Sequence, residues 1–291
     1  MAVVASTYMG EPIALLRPLV GRPLVRDGKK KGVVDEYGVG VACSKIDGAL
    51  WRCHKSVQEL IAREAKRARM HPVELEIFGV FTREMREDVA KRVEKHCKGE
   101  TQGIIPDILI GRDLYELKGI RSDASHSNYN GAQVTGVEKR EKKIPIEIAK
   151  QAVRLDKEVF GIDEPTIGPW QRKLRELGGI KPLAFGQYGE MGPGLEALMA
   201  EIATAGADQA AEAYLLSNPE AAFGVQMRLL RQIFVTGIVR AQAQVILSRL
   251  HYALPGWEKA GERRAGQGQE CAEQQRIAAA RGQGTRRWKE H

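Results

Sequence analysis

The stretch that most constrains this chain is residues 103–120, GIIPDILIGRDLYELKGI. Two apolar runs flank a polar turn. Residues 104–110 read as one strand, Gly111, Arg112 and Asp113 as the turn, and residues 114–120 as the returning strand. Side-chain alternation puts Glu116 and Lys118 on one face of the second strand, with Tyr115 and Leu117 on the other. Asp107, near the start of the first strand, falls opposite the end of its partner. A hairpin closed at the turn therefore brings Asp107, Glu116 and Lys118 together. Two carboxylates and an ammonium on otherwise apolar strands are costly unless they bind something. Two hard oxygen ligands with open positions suit Mg²⁺ or Mn²⁺.

Pro106-Asp107, eight residues, then Glu116-Leu117-Lys118 resembles the motif of the PD-(D/E)xK nuclease superfamily. The resemblance implies that Asp107 and Glu116 bind the divalent metal and that Lys118 positions or activates the attacking water. Upstream, residues 56–70 read as a helix capped by Ser56, with Glu59 at the capping-box position. Residues 73–81 alternate as a strand. Helix, strand, then the two motif strands is the order that the superfamily's core implies. The expected class is therefore α/β (an α+β mixed sheet), with a restriction-endonuclease-like core and a C-terminal helical extension. That family's core helix often donates a further carboxylate. Glu64, on or beside the stripe of Val57, Leu60, Ile61 and Ala68, is the candidate third ligand, with Glu59 the other.

Beyond the hairpin, residues 121–136 are rich in Gly, Ser and Asn and read as a loop leaving the site. Ser125, His126, Asn128 and Tyr129 are its candidate contacts to a DNA strand. Arg140, Lys142 and Lys143 form a basic cluster before Pro145, which suits the first turn of a helix carrying Ile144, Ile148, Ala152, Leu155 and Val159. Many superfamily members place a Gln and a Tyr four apart on that helix. Here Gln151, a candidate nucleic-acid contact, is followed by Leu155. Residues 84–97 read as a charged helix, and residues 170–174 as a short one. Residues 181–189 read as the last core strand, with Pro182 at an edge or strand start. Helices are expected at 195–205, 207–216 and 223–250, the last interrupted by Gly237. The expected layout is an irregular segment at 1–50 containing a basic turn, a nuclease-like core at 51–190, a helical extension at 191–255 and a disordered basic tail at 256–291.

A net charge of +8 calls for an acidic partner, most simply nucleic acid, here DNA. Cys43, Cys53, Cys97 and Cys271 are scattered, which fits a reducing, intracellular compartment. The N-terminal segment lacks the pattern of a signal peptide, and no uncharged stretch has the length of a bilayer span, so no membrane partner is expected. Without a phosphate-cradling glycine loop, no nucleotide cofactor is expected, and no nucleophile elbow is seen. The stretch from Arg52-Cys53-His54-Lys55-Ser56-Val57 through the motif to Arg154-Leu155-Asp156 is similar to the C-terminal endonuclease of some eukaryotic retrotransposon polyproteins. That resemblance covers most of residues 50–250 and implies a mobile-element origin and, in a eukaryote, a nuclear location. Those enzymes commonly carry an upstream zinc knuckle, whose paired spacing the cysteines here do not make. Two functions follow. One is a metal-dependent DNA endonuclease, hydrolysing phosphodiester bonds. The other is a catalytically inactive nucleic-acid-binding or structural domain of a mobile-element polyprotein. Asp107, Glu116 and Lys118 together favour the first, because binding alone needs only basic surface.

Overall fold

The structure, a computed structural model, describes residues 12–42, 44, 46, 49–81, 86–97, 103–120, 133–163, 165–213, 215 and 218–253. The chain divides into two compact units, one built on Gly48–Val245 and the other on Gly10–Asp47 with the chain from Ile246. The structure has a mixed α and β composition with small sheets.

The larger unit holds a four-stranded sheet in the order β3 (Val73–Leu75), β4 (Ile108–Ile110), β5 (Asp113–Ile120) and β6 (Lys181–Gly186). The first three strands are antiparallel, with Val73 opposite Ile110 and Ile108 opposite Tyr115. Strand β6 runs parallel to β5, pairing Tyr115 with Lys181 and Ile120 with Gly186. A parallel pair needs a long crossover. It is supplied by α4 (Gln133–Phe160) and α5 (Pro169–Glu176). Pro182 lies in the edge strand, where its missing N–H costs no interior ladder bond.

Period-two alternation along β5 serves two cores. Tyr115 and Leu117 pack with Val57 and Ile61 of α2 (Ala49–Arg67), Leu198 and Ile202 of α6 (Pro193–Ala205), and Leu230, Phe234 and Ile238 of α8 (Pro219–Leu250). Leu114, from the opposite face, packs with Ile144, Ile148, Ala152 and Leu155 of α4 and with Trp170 of α5. Helices α6 and α8, from the expected C-terminal extension, thus pack into the sheet's core. Helix α8 with its following turn, Glu220–Ala253, is long and apolar enough to cross a membrane by length and composition, yet half of that window is buried inside the protein. Gly237 serves close packing within it, since a Cβ there would lie 2.5 Å from Leu60 Cδ2. Among the described residues this unit also has α3 (Glu87–Cys97) and α7 (Ala207–Ala213).

Several boundaries differ from the sequence reading. Helix α2 begins at Ala49, so Ser56 and Glu59 are interior and Ser56 is no cap. Its buried stripe reaches back to Cys53, and no glycine or proline stands between Ala49 and Ser56. Strand β3 stops at Leu75 because Glu76 takes a left-handed backbone, φ 50°. The first motif strand is regular only from Ile108, just after Pro106, which has no N–H for the ladder. Pro145 does not open a helix but lies within α4. Val137, Glu141, Ile144 and Ile148 are buried on either side of it, and that packing outweighs the lost backbone bond. Of the expected loop at 121–136, residues 121–132 lie outside the described residues and 133–136 form the start of α4, and the expected tail at 256–291 also lies outside the described residues.

In the smaller unit, the basic turn is a hairpin of β1 (Pro23–Arg26) and β2 (Lys29–Val33). Asp27 and Gly28 both have positive φ, 53° and 67°, the Asp-Gly pattern of a two-residue hairpin turn. The Asp35 carboxylate accepts N–H bonds from Tyr37 and Val39 at the start of α1 (Val39–Ala42). Arg249, fully buried, donates to the carbonyls of Val41, Ala42 and Ile46. These bonds satisfy carbonyls at and just beyond the end of α1.

Candidate active site

The Ile108–Tyr115 pair sets the register, and one step further Asp107 falls opposite Glu116. Asp107 donates its N–H to Tyr115 O at 2.9 Å, and its Oδ2 accepts from Leu117 N at 2.7 Å. Its carbonyl accepts from Glu76 N at 2.9 Å and from Gln58 Nε2 at 2.6 Å. Helix α2 reaches it a second time: His54 Nε2 lies 3.0 Å from Asp107 Oδ1. His54 and Gln58 are four apart and share a helix face. Asp107 is therefore fixed from the sheet and from α2 at once.

Glu116 and Lys118 stand on the same face of β5 as Leu114, the α4 side. Lys118 Nζ donates to Glu116 Oε1 in a short ion pair. Burial pushes the Glu116 carboxyl above its ordinary range, the charge of Asp107 pushes it further, and Lys118 and His54 oppose that rise. The site thus holds two carboxylates in a buried setting, one of them paired with Lys118 and the other with His54.

Arg140, Lys143, Glu147 and Gln151 recur at three- and four-residue spacing and share one face of α4. Glu147 accepts a short hydrogen bond from Arg140, which holds its carboxyl below the usual range, aided by the charges of Lys118 and Lys143. That face therefore lies near Lys118. Glu147 neutralises part of the expected basic cluster. Lys142 and Lys143 are exposed and Gln151 is half-buried. His126, Asn128, Ser125 and Tyr129 lie outside the described residues.

Glu64 does not join Asp107 and Glu116. It is buried against Arg63, at 3.0 Å, and Arg67, at 3.2 Å. It stands ten residues beyond His54, about 15 Å along the helix axis. Glu59 is exposed. The helical contribution comes instead from His54 and Gln58, which a helix started at Ser56 could not place. The available signal was Gln58, a polar residue between the buried Val57 and Leu60.

Among the described residues no group of three His, Cys, Asp or Glu side chains is arranged to hold a metal ion. Two carboxylates are nonetheless the usual protein share for Mg²⁺, which keeps several waters and takes other ligands from substrate phosphates. The closeness of the Asp107 and Glu116 carboxylates, which raises the Glu116 pKa beyond what burial alone does, fits a cation there. Comparison with protein-family models, curated proteins and solved structures gives no match to this chain.

Proposed function

We propose that the chain is a metal-dependent nuclease that hydrolyses phosphodiester bonds in DNA, on a restriction-endonuclease-like core. The observation that carries this reading is the pairing of Asp107 with Glu116 across the β4–β5 hairpin, with Lys118 two residues along the same strand face. The order of helix, strand, two hairpin strands, helix and parallel strand supports it. A Mg²⁺ or Mn²⁺ held by Asp107 and Glu116 supplies charge neutralisation at the phosphate and a lowered pKa for water. Asp107 is held for this task by Leu117 N–H and His54, so its carboxylate needs little reorganisation. The Lys118 ammonium orients the attacking water or stabilises charge developing on the phosphate. Mobile-element origin and a nuclear setting remain part of this proposal through the resemblance alone.

Supercoiled plasmid incubated with Mg²⁺ or Mn²⁺ should be cut, and the cutting should stop with chelator. Lys118→Ala should slow it by at least about a hundredfold, the scale of one positioned catalytic group, while DNA affinity without metal stays near wild type. Wild-type cutting by Lys118→Ala would remove Lys118 from the site. Plasmid binding without any cutting would favour the inactive nucleic-acid-binding domain.

A further inference from the structure

Helix α2 carries a feature that the hydrolytic groups do not use. Trp51, three residues before His54, is 57 % exposed. Single exposed aromatics are ordinary on protein surfaces. This one is distinguished by its neighbours. Lys55, four residues on, places its ammonium 4.9 Å from the Trp51 ring centroid. Arg52, also exposed, lies between them in sequence. His54, on the same turn, touches Asp107. Trp51 thus stands three residues from His54, which touches Asp107, and four from Lys55, so that each lies within about 5–6 Å of Trp51 at its Cβ atom on the helix surface.

We propose that Trp51 and Lys55 form a stacking platform for an unpaired nucleobase of the strand whose phosphate enters at Asp107 and Glu116. The platform rests on the nuclease reading for its place beside the scissile phosphate, and names single-stranded nucleic acid, or a locally opened strand, as the bound form. A base offers its π-face to a side chain only when unstacked, and such stacking is tolerant of sequence. Lys55 adds attraction for the neighbouring phosphate without reading a base.

The test uses the full chain with EDTA present, so that binding is read without cleavage. A fluorescein-labelled single-stranded oligonucleotide is titrated against wild type, Trp51→Ala and Trp51→Phe, and again with a strand whose bases are replaced by abasic sites. Trp51→Ala should weaken binding to the normal strand about tenfold. Trp51→Phe, which keeps a ring, should recover most of it. On the abasic strand wild type and Trp51→Ala should bind alike. Unchanged affinity in Trp51→Ala, or an equal loss on the abasic strand, would overturn the platform. A protein that shows the full stacking pattern but never cuts with Mg²⁺ would support the platform while removing the hydrolytic reading.

Discussion

Burial raises the carboxyl pKa of Glu116, Glu141 and Glu190, and the first and last of these carry separate consequences. Glu116 is raised by burial first and by Asp107 second, a tension that a cation would relieve. Glu190 lies outside the proposed site. Its Oε2 accepts from Tyr188 N at 3.0 Å, while Oε1 is buried without a hydrogen-bond partner among the described residues. Burial pushes its carboxyl upward, and backbone N–H bonds only partly oppose this. A raised folded-state pKa means that the folded protein keeps this proton to higher pH than the unfolded chain does. The contribution to stability is then fully present below the unfolded pKa and is lost as pH rises through the folded one. Glu190→Gln lacks this titration. Its stability relative to wild type, read by urea unfolding from about pH 4 to pH 7, should grow as pH rises from the ordinary carboxyl value upward. A difference that is flat across that range would show that Glu190 ionises as it does in the unfolded chain.

At the level of elements, helices in the larger unit are capped by carboxylates from elsewhere in the chain. Neither α5 nor α6 has a side-chain cap from its own Ncap residue, which is Gly168 in one and Gly192 in the other. Asp156 of α4 is fully buried and accepts from Trp170 N at 2.8 Å and Gln171 N at 3.1 Å at the start of α5. Glu141, also of α4, accepts twice from Gly194 N at the start of α6. Asp156→Ala strands one buried and one half-buried backbone donor, and should cost about 2 kcal/mol in urea unfolding. A loss within about 0.5 kcal/mol, the scale of an ordinary surface change, would mean that water replaces the carboxylate. Such long-range caps explain what the sequence could and could not show. The motif hairpin, the β5 alternation and the edge position of Pro182 were legible because each rests on local patterning. The passage of α4 through Pro145 was not, because burial on both sides decides it, and the start of α2 at Ala49 was not, because Ser56 and Glu59 mimic a capping box inside a longer helix. Glu64 was misplaced for a related reason. An acid on an apolar stripe has the same signature whether it meets a metal or, as here, Arg63 and Arg67. The Asp27-Gly28 turn was legible as a basic turn, but its flanking strands were not, because lysines at 29–31 leave no apolar alternation to mark them.

At the scale of the whole molecule, the division into two units makes the metal assignment testable without any substrate. Asp107, Glu116, His54 and Lys118 all belong to the unit built on Gly48–Val245. A ligand that binds only the folded form of one unit stabilises that unit by RT ln(1 + [L]/Kd), about 2.7 kcal/mol at a hundredfold excess over Kd. For a body of this size that is roughly 5–10 °C in Tm. Scanning calorimetry with Mg²⁺ or Mn²⁺ should therefore raise the transition that disrupts the β4–β5 hairpin. The unit built on Gly10–Asp47 with the chain from Ile246 contains none of these carboxylates, so any separate transition it shows should stay where it was. Asp107→Asn keeps the side-chain shape and an acceptor for Leu117 N–H but removes one of the two charges. It should fold, melt close to the metal-free wild type and lose most of the response to the ion. If Asp107→Asn responded as wild type does, or if both transitions rose together in the two proteins, the ion would be acting elsewhere on the chain, and the Asp107–Glu116 pair would be left as a buried ion cluster held by Lys118 and His54.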